Sequence, residues 1–192
     1  MQGECLVYKK NGVLIISDSI YSSQSNRVSL PEIIRHNLPE NSKFCFRFIR
    51  GKGLNDLVEK VRIYGEELSS FSKRMNKSTA YILCGLYECI DGYSTSMFKT
   101  HIDSIILELE DIGFDIVFIN PIVENGLKGH IGGWYKRCKS VISEKSEQRF
   151  CKELKPDLFL NLVDDKPVIN SKNNFEIIDV ICNDIEQQEN NN

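Results

Sequence analysis

Val13-Leu14-Ile15-Ile16-Ser17-Asp18-Ser19 is the stretch on which the reading of this chain turns. Four apolar residues without polar alternation, closed by small turn formers, predict a strand buried on both faces, as in a parallel sheet. Open α/β sheets bind ligands outside the carboxyl ends of their strands. Ser19 therefore falls at a ligand position. Its hydroxyl can act as a nucleophile and its backbone N–H can stabilise an oxyanion. The same residues also suit a cap on a following helix, and the stretch alone leaves both readings open.

Outward from this strand the chain alternates strand and helix. Leu6-Val7-Tyr8 reads as an edge strand ahead of it, and Ser29-Leu30-Pro31-Glu32 as a helix start, with Ile33, Ile34 and Leu38 at helical spacing. Phe44–Ile49 is a second strand, followed by Arg50-Gly51-Lys52-Gly53 and one helix carrying Leu57, Val58, Val61 and Leu68 along one side. Thr79–Gly85 is a third strand with Leu86-Tyr87-Glu88-Cys89 as its outgoing loop, then an amphipathic helix over Ser96–Leu109 ended by Gly113. Asp115–Pro121 is a fourth strand, leading through a Gly-rich loop, Asn125–Gly133, into a basic helix from Trp134 to about Leu154. Leu158–Val163 is read as the fifth strand, Asp164-Asp165-Lys166-Pro167 as a loop, and Phe175 to about Ile185 as the closing helix. The pattern predicts a three-layer, flavodoxin-like α/β domain: five parallel strands with helices on both faces. Residues 1–186 form one domain in this reading, and 187–192 a disordered tail.

The 192 residues can bury a full core without staples. No apolar run reaches the ~18 residues of a membrane span, and the first residues carry no secretory pattern, so a cytoplasmic or nuclear location is expected rather than secretion. Seven cysteines at irregular spacing read as buried thiols; paired metal-ligand spacing is missing, and neither a metal nor a cofactor is expected. The net charge of −3 hides segregation. Residues 43–77 hold nine Lys/Arg against four Asp/Glu, and residues 124–155 eight against four. Residues 78–123 hold one against seven. Should the positive segments meet in space, they form a basic patch.

Taken in order, the strand ends read Ser17-Asp18-Ser19, Gly51, Gly85-Leu86-Tyr87-Glu88 and Asp164-Asp165. This order resembles the SGNH (GDSL-type) hydrolase superfamily, and most closely the divergent SGNH-like domains of some retroelement proteins and of the germ-plasm protein Oskar. Arg50-Gly51-Lys52-Gly53-Leu54-Asn55-Asp56-Leu57 resembles the retroelement version of the second block. The resemblance implies Ser19 as the nucleophile position, and Gly51 and Gly85 as remnants of the catalytic blocks. Tyr87 stands where the family has its oxyanion asparagine and Glu88 where it has aspartate. Val168 or Pro167, depending on which aspartate is aligned, stands where the family has histidine. A serine without a base forgoes ~10²–10⁴-fold in rate, and a lost oxyanion donor ~10²–10³-fold. Only His130 or Glu88 offers a relocated base.

Two readings follow. In the first, the domain is a catalytically inactive binding module, its ligand RNA by resemblance to Oskar, or a protein partner in a ribonucleoprotein assembly. Candidate phosphate contacts are Arg47, Arg50, Lys52, Lys136, Arg137 and Lys139, with Trp134 or Tyr135 to stack a base. In the second, it is an esterase or deacetylase acting through Ser19.

Overall fold

The computed structural model describes residues 10–20, 44–124, 127–163, 166–169 and 171–190. The expected edge strand Leu6–Tyr8, the helix starting at Ser29, and Asp164 and Asp165 lie outside them.

Strand β1 (Asn11–Ser17) is central, with Val13 to Ile16 almost wholly buried. It pairs in parallel with β2 (Phe44–Arg50) on one side and β3 (Ser78–Leu83) on the other; β3 pairs with β4 (Asp115–Ile119). Helices α1 (Leu54–Ile63) and α2 (Gly65–Arg74) follow β2, α3 (Leu86–Asp91) and α4 (Thr95–Ile112) follow β3, and β5 (Ile122–Val123) and α5 (Gly129–Arg149) follow β4. Strands β6 (Lys152–Leu154) and β7 (Asp157–Leu158), the pair β8 (Asn161–Val163) and β9 (Lys166–Val168), and helix α6 (Ser171–Asn190) complete the chain. The main sheet has five parallel strands in the order β2-β1-β3-β4-β6, the flavodoxin-like order in which the site lies at the carboxyl edge of β1 and β3.

The layers follow from strand alternation. Thr79 and Tyr81 of β3 reach α6, while the apolar stripe of α4, from Phe98 to Leu109, lies fully buried beside α1 and α5. Burial of each such Leu, Ile or Phe is worth about 1.5–3 kcal/mol, so one continuous apolar core fixes both faces.

The fifth strand is not Leu158–Val163. Lys152–Leu154 pairs with Val117–Ile119 instead, and Asp157–Leu158 carries the same edge onward against Ile122–Val123. Proline explains the division: Pro121 and Pro156 have no N–H, so each interrupts its strand at the same level. The N–H groups of Asn120, Ile122 and Glu124 nevertheless bond to Leu154, Pro156 and Leu158 in regular sequence. Asn161–Val163 folds back on Lys166–Val168 as an antiparallel pair.

Other boundaries shift for local reasons. Leu86–Asp91 is a short helix rather than a loop, because Gly85 adopts φ +106° and frees its carbonyl for the next turn. The helix after Gly53 breaks in two at Tyr64–Gly65. The basic helix α5 starts five residues earlier than expected, inside the Gly-rich segment, where a Cβ at Gly132 would fall on the carbonyl of Leu127. It ends at Arg149 because Phe150 turns left-handed, at φ +55°. The expected disordered tail from residue 187 is helical to Asn190, since Gln188 hydrogen-bonds to Tyr81 and Asp184.

Candidate functional site

The carboxyl edge of β1, β2 and β3 brings together three of the four sequence blocks, and there the loops are tied to one another. Ser19 Oγ donates to the carbonyl of Lys52 at 2.9 Å, and the Ser19 N–H points to the same oxygen at 3.4 Å, joining the β1 loop to the β2 loop. Asp18, fully buried, accepts the Tyr87 N–H through Oδ2 at 3.3 Å, joining the β1 loop to the β3 loop. Its Oδ1 accepts the N–H of Ile20 at 2.9 Å. Glu88, also fully buried, closes the triangle: Oε1 accepts the Leu54 N–H at 2.5 Å and Oε2 the Gly85 N–H at 2.9 Å. Burial raises the Glu88 pKa above the ordinary glutamate value, against the lowering effect of those N–H donors.

The donors that an acyl-transfer site would aim at an oxyanion are therefore engaged. Gly51 N–H donates to Ser17 O at 3.1 Å, Lys52 N–H to Asp56 Oδ2 at 2.7 Å, and Gly85 N–H to Glu88. Neither proposed base bonds Ser19. Both carboxylate oxygens of Glu88 hold backbone N–H groups, and His130 stands exposed in the first turn of α5, while the hydroxyl of Ser19 is bonded to Lys52 O instead. Pro167 and Val168 lie in β9. His101 is half-buried, its ring edge against Tyr93 at 5.9 Å, and burial lowers its pKa.

The basic candidates divide into two groups. Arg47 lies on the edge strand β2, over the Phe71 ring at 5.1 Å and 3.9 Å from Glu67. Arg50 ends the same strand with no side-chain ion pair among the described residues. Lys52 Nζ sits 5.9 Å above the Tyr87 ring, and hydrogen bonding to Tyr87 raises its pKa. On α5, Arg137 covers the Trp134 ring at 4.3 Å, and Lys136 is exposed. Tyr135 is buried, its hydroxyl donating to Pro121 O at 2.7 Å, so it offers no face for a base. Lys139 also donates to Pro121 O at 2.7 Å, and burial lowers its pKa. The two positive segments do not merge, because acidic α4 and the start of β4 stand between them and pair with both. Arg62 bonds Glu108 and Lys77 bonds Asp115 from one side; Lys145 bonds Asp103 and Arg149 bonds Glu110 from the other.

Cys84, Cys89 and Cys138 are buried beneath the rim, with Cys89 Sγ bonded to Gly85 O at 2.7 Å and 3.8 Å from Cys138 Sγ. Bonding to Cys138 and burial push the Cys89 thiol far up, and burial does the same for Cys84, so both are packing groups rather than nucleophiles. No group of three or more metal-ligating side chains forms among the described residues, and no helix there is long and apolar enough to cross a membrane. Sequence reasoning missed the clamping roles of Asp18 and Glu88. For Glu88 a signal exists: a glutamate three residues after a helix-capping position reaches back to the cap N–H.

The fold is that of the SGNH hydrolases. A G-D-S-L-family lipolytic protein from Veillonella parvula superposes with a TM-score of 0.66, covering 90% of this chain and 97% of that one at 9% identity. The psychrotrophic esterase EstA of a Pseudoalteromonas species, in a structure inhibited by monoethylphosphonate, gives 0.68 over 94% and 100% at 13% identity. A lipase/acylhydrolase from Enterococcus faecalis gives 0.66 over 93% and 96% at 12% identity. No protein-family model matches the sequence, and no curated protein matches it.

Proposed function

We propose that this chain is a binding module on a hydrolase fold, with Ser19 serving as a structural tie and single-stranded RNA as the ligand. The observation that carries the first part is the Ser19 hydroxyl itself: it donates to a backbone carbonyl, an acceptor that cannot take up its proton. The ring of N–H groups around it is bonded internally, so an acyl substrate would find no preorganised oxyanion donor.

The ligand reading is supported by two cation and ring pairs at the ligand edge of the sheet. Lys52 with Tyr87 follows β2 and β3; Arg137 with Trp134 occupies the end of α5 nearer that edge. Single-strand binders combine such cations with rings for base stacking. Helix α3, which carries Tyr87, packs on α5, which carries Trp134 and Arg137, through Cys89 and Cys138. Arg50 adds a third positive group.

Binding of a labelled single-stranded RNA pool across a salt titration tests this reading. Wild type is expected to bind with affinity that falls steeply as salt rises. Arg50→Glu combined with Arg137→Glu should weaken binding at least about tenfold and flatten the salt dependence. No binding at low salt overturns the RNA reading and leaves a protein-binding scaffold; labelling of Ser19 by an organophosphate probe overturns the structural role of its hydroxyl.

A further inference from the structure

The cations of α5 are treated differently along its length. In the second half Lys145 pairs with Asp103 at 2.8 Å and Arg149 with Glu110 at 3.6 Å. In the first half Lys136 and Arg137 are exposed, and neither has a carboxylate partner among the described residues. Arg137 is nevertheless held in place. It follows Trp134 by nearly one helical turn, on the same face, and its Cζ lies 4.3 Å from the centroid of the indole ring. Trp134 is half-buried and packs against the core, so the guanidinium rests on a ring that is itself fixed. The neighbouring helix surface is open: beyond its own helix backbone, a Cβ on Gly133 would meet only Arg137 Nη1, at 3.8 Å.

Lys52 with Tyr87 is a different kind of pair. An ammonium is a point charge without a face, and Lys52 Nζ stands 5.9 Å from the ring centroid. The Tyr87 ring is pressed on Gly53, where a Cβ would fall 2.4 Å from Cδ1. This pair suits a phosphate. A guanidinium is planar, delocalised and weakly hydrated; it stacks on aromatic rings, and a nucleobase can stack on it in turn. Its edge N–H groups can meet phosphate oxygens at the same time. A polyanion without flat groups would leave that plane unused.

Resting on the RNA reading above, we propose that Arg137 is the base platform of the site: an unpaired base stacks on the outer face of the guanidinium, with the indole beneath it, and Lys136 meets a flanking phosphate. The indole takes no base directly, because the ring face that Arg137 covers is already occupied. Such recognition tolerates any sequence, since every base has a π-face. It discriminates against a duplex, whose bases are stacked on their neighbours.

Trp134 is the chain's one tryptophan, so its fluorescence reports on this position alone. The full chain is titrated with a single-stranded uridine dodecamer and with an abasic ribose-phosphate dodecamer of equal charge. Wild type is expected to bind the uridine strand at least about fivefold more tightly, with a change in Trp134 emission for that strand only. Arg137→Lys keeps the charge and removes the plane. It should lower the affinity for the uridine strand to that for the abasic strand, and leave the abasic affinity and its salt dependence within about twofold. Equal wild-type affinity for the two strands would overturn the base platform while leaving the RNA reading standing. An Arg137→Lys variant that keeps the preference would do the same, as expected if the base displaced Arg137 to reach the indole. Wild type that binds neither strand overturns both readings together.

Discussion

Glu88 Oε1 accepts the backbone N–H of Leu54 at 2.5 Å, tying together two loops that are 34 residues apart in the chain. With Oε2 on the Gly85 N–H, one carboxylate satisfies a donor at the start of α1 and a donor at the start of α3. Glu88→Gln keeps the shape but turns an NH₂ group toward one of these N–H donors, leaving it buried and unpaired. Such a group costs about 1–3 kcal/mol. The melting temperature should therefore fall by about 2–10 °C. An unchanged melting curve would mean that the clamp contributes nothing.

The same carboxylate gives stability a distinctive pH dependence. Burial holds the Glu88 pKa above its ordinary 4.5, so the folded chain keeps a proton that the unfolded chain has already released. This contribution favours folding on the acid side and is lost as pH rises through the folded value. Wild-type stability minus that of Glu88→Gln should thus decline from pH 4 upward. Asp56 and Glu153, both lowered by hydrogen bonding, work in the opposite sense, their contribution being lost in acid; they are common to both proteins and cancel. A difference that grows with pH would place the Glu88 pKa below its ordinary value.

Gly53 is needed for space rather than for backbone freedom. Its φ of −155° is open to any residue, but an added Cβ would lie 2.4 Å from Cδ1 of Tyr87 and 3.0 Å from Glu88 Oε1. Gly53→Ala is expected to cost about 1–3 kcal/mol through this overlap. In the background of Tyr87→Ala the same change should cost less, and the gap between the two costs measures the contact in a double-mutant cycle. Equal costs in both backgrounds would place the overlap elsewhere.

How much of this was legible in the sequence depends on whether the deciding contact was local. The run from Val13 to Ile16 announced a doubly buried strand because the apolar pattern is itself the cause of burial. Gly113 likewise ends α4 where expected, since it alone supplies the left-handed turn. The fifth strand was misplaced because Leu158–Val163 is the more apolar run, whereas partner geometry along β4, interrupted by Pro121 and Pro156, selected the more polar Lys152–Leu154. The charge segregation was visible, but its outcome was not. Only the packing of α4 between α1 and α5 turns two basic segments into ion-paired flanks. Ser19 was found by its position, yet its role depends on Lys52, 33 residues away.

The end of α6 shows the same dependence on distant partners and can be tested directly. Tyr81 OH donates to Asp184 Oδ2 at 2.8 Å and receives a bond from Gln188 at 3.3 Å, while Lys152 pairs with the other carboxylate oxygen. Desolvation and the neighbouring Asp184 push the Tyr81 hydroxyl far up, so it remains a donor across the whole stability range. Tyr81→Phe preserves the ring in the core and removes only this donor. A hydrogen bond to a charged group is worth about 1.5–3 kcal/mol, and here it anchors a polar helix end that has little apolar area beyond Ile185. Hydrogen exchange should therefore accelerate from Asp184 to Asn190 well before it does in β1 or α4. A uniform rise across the chain would instead mean that the network stabilises the fold as a whole, and an unaltered pattern that α6 is held by its apolar face alone.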